Sequence, residues 1–100
     1  MDVKTTVDGS KACIKLVGKL TVQTSPDLNA AIEALADDVR DIDIDLQDVD
    51  YIASAGLRVL VSTDKLAAKQ GGQMRLLHPC DEVVEVLEMT GLSEVFAIER

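Results

Sequence analysis

Apolar and polar positions along the chain change period several times, and each change marks an element. Val3–Val7 and Ala12–Val17 are strand-like runs, and Asp8-Gly9-Ser10-Lys11 between them has turn composition, so they predict a hairpin. Gly18–Thr24 reads as a loop. Ser25-Pro26 then reads as an N-cap followed by proline at the first helical position. The helix it opens runs to about Ala36, with Leu28, Ala31, Ile32 and Leu35 on its apolar face. In Asp41–Leu46 the acids Asp41, Asp43 and Asp45 alternate with Ile42, Ile44 and Leu46, which predicts a strand with one face in solvent.

Leu57, Leu60, Val61 and Ala68 then recur near helical spacing as far as Gly71-Gly72. Gln73–Leu77 is a further strand, Asp81–Met89 a helix closed by Gly91, and Val95–Ile98 a short last strand. Successive strand–helix–strand units imply parallel pairing with right-handed crossovers, while the first hairpin adds an antiparallel part. The expected fold is α/β: a single domain over 1–100, with a mixed four- to five-stranded sheet and helices packed mainly on one face.

The segment Tyr51-Ile52-Ala53-Ser54-Ala55-Gly56-Leu57-Arg58 joins a strand to a helix and puts the Ser54 hydroxyl at the helix start. In a parallel unit, sites gather at the carboxyl ends of strands, and Ser54 lies just past one. Serine in that place most often caps the helix. The same place suits a phosphate, because free N–H groups point outward there. The small neighbours Ala53, Ala55 and Gly56 leave the hydroxyl uncovered. Spacing alone favours the cap, and the small neighbours shift the balance only part of the way toward a site.

Composition narrows the partners. Only Tyr51 and Phe96 are aromatic, so the core is built from Val, Leu, Ile, Ala and Met. A net charge of −8 excludes a surface that neutralises nucleic-acid phosphates or an anionic membrane, and suits a partner of positive charge. No apolar run reaches membrane-spanning length, and Met1-Asp2-Val3-Lys4 lacks a signal-peptide pattern, so a cytoplasmic protein is expected. Cys13, inside an apolar strand pattern, and Cys80, in a loop after Pro79, then read as free thiols.

Catalytic and metal chemistry find little support. A nucleophile elbow needs glycine two residues either side of serine; Gly56 fits, but Ile52 holds the other place. The only candidate base is His78, after the Gln73–Leu77 strand. His78 and Cys80 lack a second pair for a tetrahedral zinc site. Asp41, Asp43, Asp45, Asp48 and Asp50 lack the glycine and terminal glutamate of a calcium loop, and read as the solvent face of a strand. No enzyme activity, cofactor or metal is expected.

Several segments taken in order are more specific. They are Leu16–Leu20, Ile42–Leu46, Ser54-Ala55-Gly56-Leu57, Gly71-Gly72 and Val86–Leu92. Together they resemble a STAS domain of the bacterial anti-sigma factor antagonist (anti-anti-sigma factor) family, over nearly the whole chain. The resemblance implies a partner-switching regulator of transcription that is a monomer when free. The family's Asp-Ser-Ser/Thr/Ala-Gly-Leu motif is phosphorylated on the serine that follows Asp, which matches Ser54; Ala53 stands where the Asp usually is. The implied partners are a GHKL-type serine kinase that doubles as the anti-sigma factor, and a PP2C-type phosphatase. The implied docking surface comprises Tyr51, Ile52, Ala53, Ala55, Gly56, Leu57 and Arg58 with Thr21, Gln23, Thr24 and Ser25. The alternative is a non-phosphorylated STAS subunit of a lipid-transport or other signalling complex.

Overall fold

In the computed structural model, which describes residues 1–100, strand β1 (Asp2–Asp8) turns back through Gly9-Ser10 into β2 (Lys11–Leu20). Helix α1 (Ser25–Glu33), β3 (Asp41–Ile52), α2 (Ser54–Lys69), β4 (Met74–Leu77) and α3 (Asp81–Met89) follow. A single 3-10 turn, Leu92–Glu94, leads into β5 (Ala97–Glu99). The five strands lie in sequence order, with β1–β2 antiparallel and every later pair parallel. Three crossovers that step the same way across a sheet, each right-handed, must put their helices on one face. The five-stranded mixed sheet is the larger of the two expected sizes.

Beneath the helices lie Ala12, Ile14 and Leu16 of β2, Ile42, Ile44 and Leu46 of β3, and Met74 and Leu76 of β4, all buried. Leu28 and Ile32 of α1, Leu57 and Leu60 of α2, and Val83 and Leu87 of α3 close over them. On α2 the inward positions near the end are Thr63 and Ala67, while the expected Ala68 faces solvent. Gly72 is fixed by close approach: a Cβ there would lie 1.9 Å from the carbonyl oxygen of Arg40.

Both strands that lead to the site outrun the sequence expectation. Gly18–Leu20 continues β2, and Gln47–Ile52 continues β3. Lys15 pairs with Asp45 and Val17 with Asp48; Gly18 pairs with Val49 and Leu20 with Ile52. In each step β3 uses one residue more than β2, so β3 carries two bulges. Its buried positions therefore fall at Leu46, Val49 and Ile52, three apart, and the alternation that marks a strand is lost.

The face without helices is a ladder of opposite charges. Lys11 and Lys15 of β2 meet Asp43, Asp45 and Asp48 of β3, and Arg75 of β4 joins Asp43 to Glu99 of β5. Asp43 is not a solvated acid, as alternation suggests, but only 3% exposed. Burial alone would raise its pKa, yet hydrogen bonds from Arg75 and Lys11 outweigh that and hold the carboxyl below the usual range. The same contact pushes the Arg75 guanidinium upward. Cys13 lies beside this ladder rather than in the core; burial first, then the charges of Asp43 and Asp45, raise its thiol pKa. Both cysteines are unpaired.

Candidate functional site

Because β2 and β3 are parallel and end together, with Leu20 opposite Ile52, the segments leaving their carboxyl ends emerge side by side. The Ala53 N–H donates to the Leu20 carbonyl at 2.8 Å, which ties the start of α2 to the end of β2. One edge of the sheet thus carries two segments, Thr21–Thr24 and Ala53–Arg58.

Ser54 is the first residue of α2, not its cap. Ala53 holds the N-cap position in extended conformation, and no side chain caps the helix. Ser54 is exposed, and its hydroxyl has no hydrogen-bond partner in the chain. The backbone N–H groups of Ser54, Ala55 and Gly56 are likewise unpartnered; the first to bond back is Leu57, to the Ala53 carbonyl at 3.1 Å. The serine is therefore free of the structural duty that sequence position suggested.

Gly56 lets this end of the helix settle on the sheet. A Cβ there would meet Cγ and Cδ2 of Leu20 at 2.6 and 2.7 Å and Cγ1 of Ile52 at 3.3 Å. Leu20 is wholly buried, so it has little room to yield. Close seating at Gly56 fixes the height and direction of the turn that bears Ser54.

The neighbouring loop is held by threonines. Thr24 Oγ1 accepts from the Thr21 N–H at 2.8 Å and donates to the Lys19 carbonyl at 2.6 Å. Thr21 Oγ1 accepts from the N–H groups of Gln23 and Thr24 at 3.2 and 3.3 Å. Thr24, rather than Ser25, occupies the N-cap of α1, but its hydroxyl is committed to the loop and does not cap. Ser25 is buried behind it, with Pro26 next in the first turn. The loop so fixed holds Val22 outward, 72% exposed.

Of the expected docking residues, Ser25, Ile52, Gly56 and Leu57 are buried. They shape the surface from below and present no side chain to a partner. Ser54, Arg58, Gln23 and Tyr51 are exposed, while Thr21, Thr24, Ala53 and Ala55 are partly so. Tyr51 is 50% exposed, and its ring lies 5.9 Å from the Lys19 ammonium, which also pairs with Asp50 at 3.2 Å. Val22 was absent from the expected set. Its only sequence signal is a lone aliphatic residue between threonines in an otherwise polar loop.

His78 does not approach Ser54. The carboxyl end of β4, Leu77, lies opposite Asp45, so β3 runs on from that level to Ile52. Even with two bulges, that stretch rises on the order of 15–20 Å at about 3.3 Å per residue. His78 instead donates its backbone N–H to Glu99 beside β5, and the Cys80 thiol donates to the Val49 carbonyl. The edge therefore offers an exposed, unengaged hydroxyl on a partly apolar surface.

A family model for the STAS domain matches residues 2–100. The chain belongs to the STAS domain family. This STAS domain is 33% identical over 85 residues to the anti-sigma-B factor antagonist of Bacillus subtilis (strain 168), covering 85% of this chain and 78% of that protein. Its fold superposes on that of an anti-sigma factor antagonist from Mycobacterium paratuberculosis with a TM-score of 0.85 at 23% identity, over 98% of this chain and 84% of that one. A second likeness is to the Bacillus cell fate determinant SpoIIAA in its phosphorylated form, with a TM-score of 0.75 at 18% identity, over 99% of this chain and 92% of that one. The mixed sheet with helices on one face is thus the STAS fold, and no helix of this STAS domain is long and apolar enough to cross a membrane.

Proposed function

We propose that this STAS domain is an anti-sigma factor antagonist whose unmodified form binds a GHKL-type serine kinase that is also the anti-sigma factor, and whose phosphorylation at Ser54 ends that binding. The observation that carries this reading is the Ser54 hydroxyl, exposed at the first position of α2 and unengaged by the chain. Kinship with an anti-sigma-B factor antagonist supports the partner class. In the transfer, Ser54 Oγ attacks the γ-phosphoryl of kinase-bound ATP, its proton passes to a base of the kinase, and ADP leaves. The domain supplies only the acceptor and the docking surface. A PP2C-type phosphatase hydrolyses the ester and restores the hydroxyl.

The phosphate adds about −1.5 to −2 charges near neutral pH. At a helix N-terminus that charge is locally welcome, so the fold persists. In a complex the same dianion lies where a partner covers Ser54, and burying it unpaired is strongly unfavourable. Incubation with the cognate kinase and ATP should add one phosphate to wild type and none to Ser54→Ala. Purified phosphoprotein should fail to capture the kinase that unmodified protein captures. Phosphorylation elsewhere, or equal capture of both forms, overturns the reading.

A further inference from the structure

Arg58 follows Ser54 by four residues on α2, so the two lie on one face of the helix, about one turn apart. Side chains on a helix lean toward its N-terminus, and a residue at this spacing covers the turn before its own Cα. For Arg58 that turn is the one that begins at Ser54. Both residues are exposed. Lys11, Lys15, Lys19, Arg75 and Arg100 are paired with carboxylates; Arg58 forms no ion pair, nor do Lys4, Arg40, Lys65 and Lys69, none of which belongs to the two segments at this edge. Its helix neighbours three and four residues away are Ser54, Ala55, Val61 and Ser62, none of them acidic. Lys19, the other cation at this edge, is already engaged with Asp50 and the Tyr51 ring.

We propose that Arg58 is the counter-ion of phosphorylated Ser54, folding back over the first turn of α2 to form a charge-assisted pair with the phosphate. The inference rests on Ser54 being the acceptor. The guanidinium matches two phosphate oxygens, which a lysine ammonium at the same place does not. In the unmodified protein Arg58 is free to project from the docking surface. After modification it is drawn onto its own helix, so a partner meets a new anion and loses a cation at once.

Protein carrying phosphoserine at position 54, installed during translation so that no kinase is involved, is titrated by phosphorus NMR across the second phosphate pKa of about 6. The midpoint should lie about 0.15–0.4 pH unit lower in wild type than in Arg58→Ala, with Arg58→Lys between them. The gap should narrow as salt rises to about 1 M, where the Debye length is about 3 Å. Coincident titration of wild type and Arg58→Ala overturns the proposal. So does a loss of stability in unmodified Arg58→Ala, which would mean that Arg58 is already engaged. Since the phosphoserine is installed independently, failure of a kinase to modify Ser54 leaves this titration readable, and the converse holds too.

Discussion

Gly56 sits against Leu20 so closely that a Cβ on the glycine would lie 2.6 Å from Cγ of the leucine. Gly56→Ala must therefore displace either a fully buried side chain or the first turn of α2. Overpacking of this kind costs about 1–3 kcal/mol, and the better helix propensity of alanine returns at most about 1 kcal/mol. The expected outcome is a net loss on the order of 1–2 kcal/mol, read by denaturant unfolding. Phosphorylation of Ser54 should slow as well, since the turn that carries it is lifted from its seat.

Ser54→Ala should leave stability unchanged within about 0.5 kcal/mol, because the hydroxyl has no partner in the fold. Were Ser54 the helix cap, the same substitution would cost about 1 kcal/mol. Thermal melting of the two proteins side by side separates the roles. A Tm lowered by several degrees in Ser54→Ala would restore the cap.

Ala53 occupies the N-cap with a methyl group that satisfies nothing. Ala53→Asp should supply an acceptor for the free N–H groups of Ala55 or Gly56 and a negative charge at the positive end of α2. The expected gain is about 0.5–1.5 kcal/mol in the unmodified protein, seen as a raised denaturation midpoint. The added carboxylate would also stand beside any phosphate on Ser54, so the gain should shrink in the phosphorylated protein.

The Arg75 guanidinium holds both oxygens of Asp43, through Nε at 2.9 Å and Nη2 at 2.7 Å. Since the folded carboxyl titrates below its unfolded value of about 3.9, its contribution is complete above that value. It is lost as pH falls through the lower folded pKa. Stability of wild type should therefore fall as pH drops below about 4, and Asp43→Asn should remove part of that dependence. Arg75→Ala leaves a nearly buried carboxylate with Lys11 alone, and should cost about 1–3 kcal/mol at neutral pH.

Val22 and Tyr51 are the large apolar side chains left exposed beside Ser54. If the partner docks over this edge, Tyr51→Ala should weaken binding by about 5- to 30-fold, as loss of an aromatic anchor of roughly 1–2 kcal/mol requires. Val22→Asp should weaken it comparably. Neither change should lower Tm appreciably, because both residues already face water. Calorimetric titration with the kinase distinguishes lost binding from lost fold.

The hairpin, the three helices and three of the five strands were legible in the sequence near their true limits, while β2 and β3 each ran on past them. Ile42, Ile44 and Leu46 alternate cleanly and mark β3 at once. The rest of that strand was hidden, because each bulge adds a residue and spaces Leu46, Val49 and Ile52 like neither a strand nor a helix. Ser54 was legible as a helix start but not as an uncapped one; that depends on the backbone conformation of Ala53. Thr24, not Ser25, stands at the N-cap of α1, and its hydroxyl bonds Lys19 and Thr21 across the loop instead of capping, a pairing that local sequence does not encode. Burial of Asp43 was likewise invisible, since it requires Arg75 from a strand 32 residues away.

The two bulges of β3 make the site a matter of counting. Each bulge takes in one extra residue without reversing the facing: Asp45 and Asp48, three apart, both meet Lys15, and Leu46, Val49 and Ile52 all face the core. Removing the extra residue of one bulge would restore regular pairing there and leave Tyr51 and Ile52 facing as they do, with the strand less bent and twisted at that point. The stretch thus has room to lose a residue at either bulge, and the change would fall on the direction in which the strand delivers Ser54.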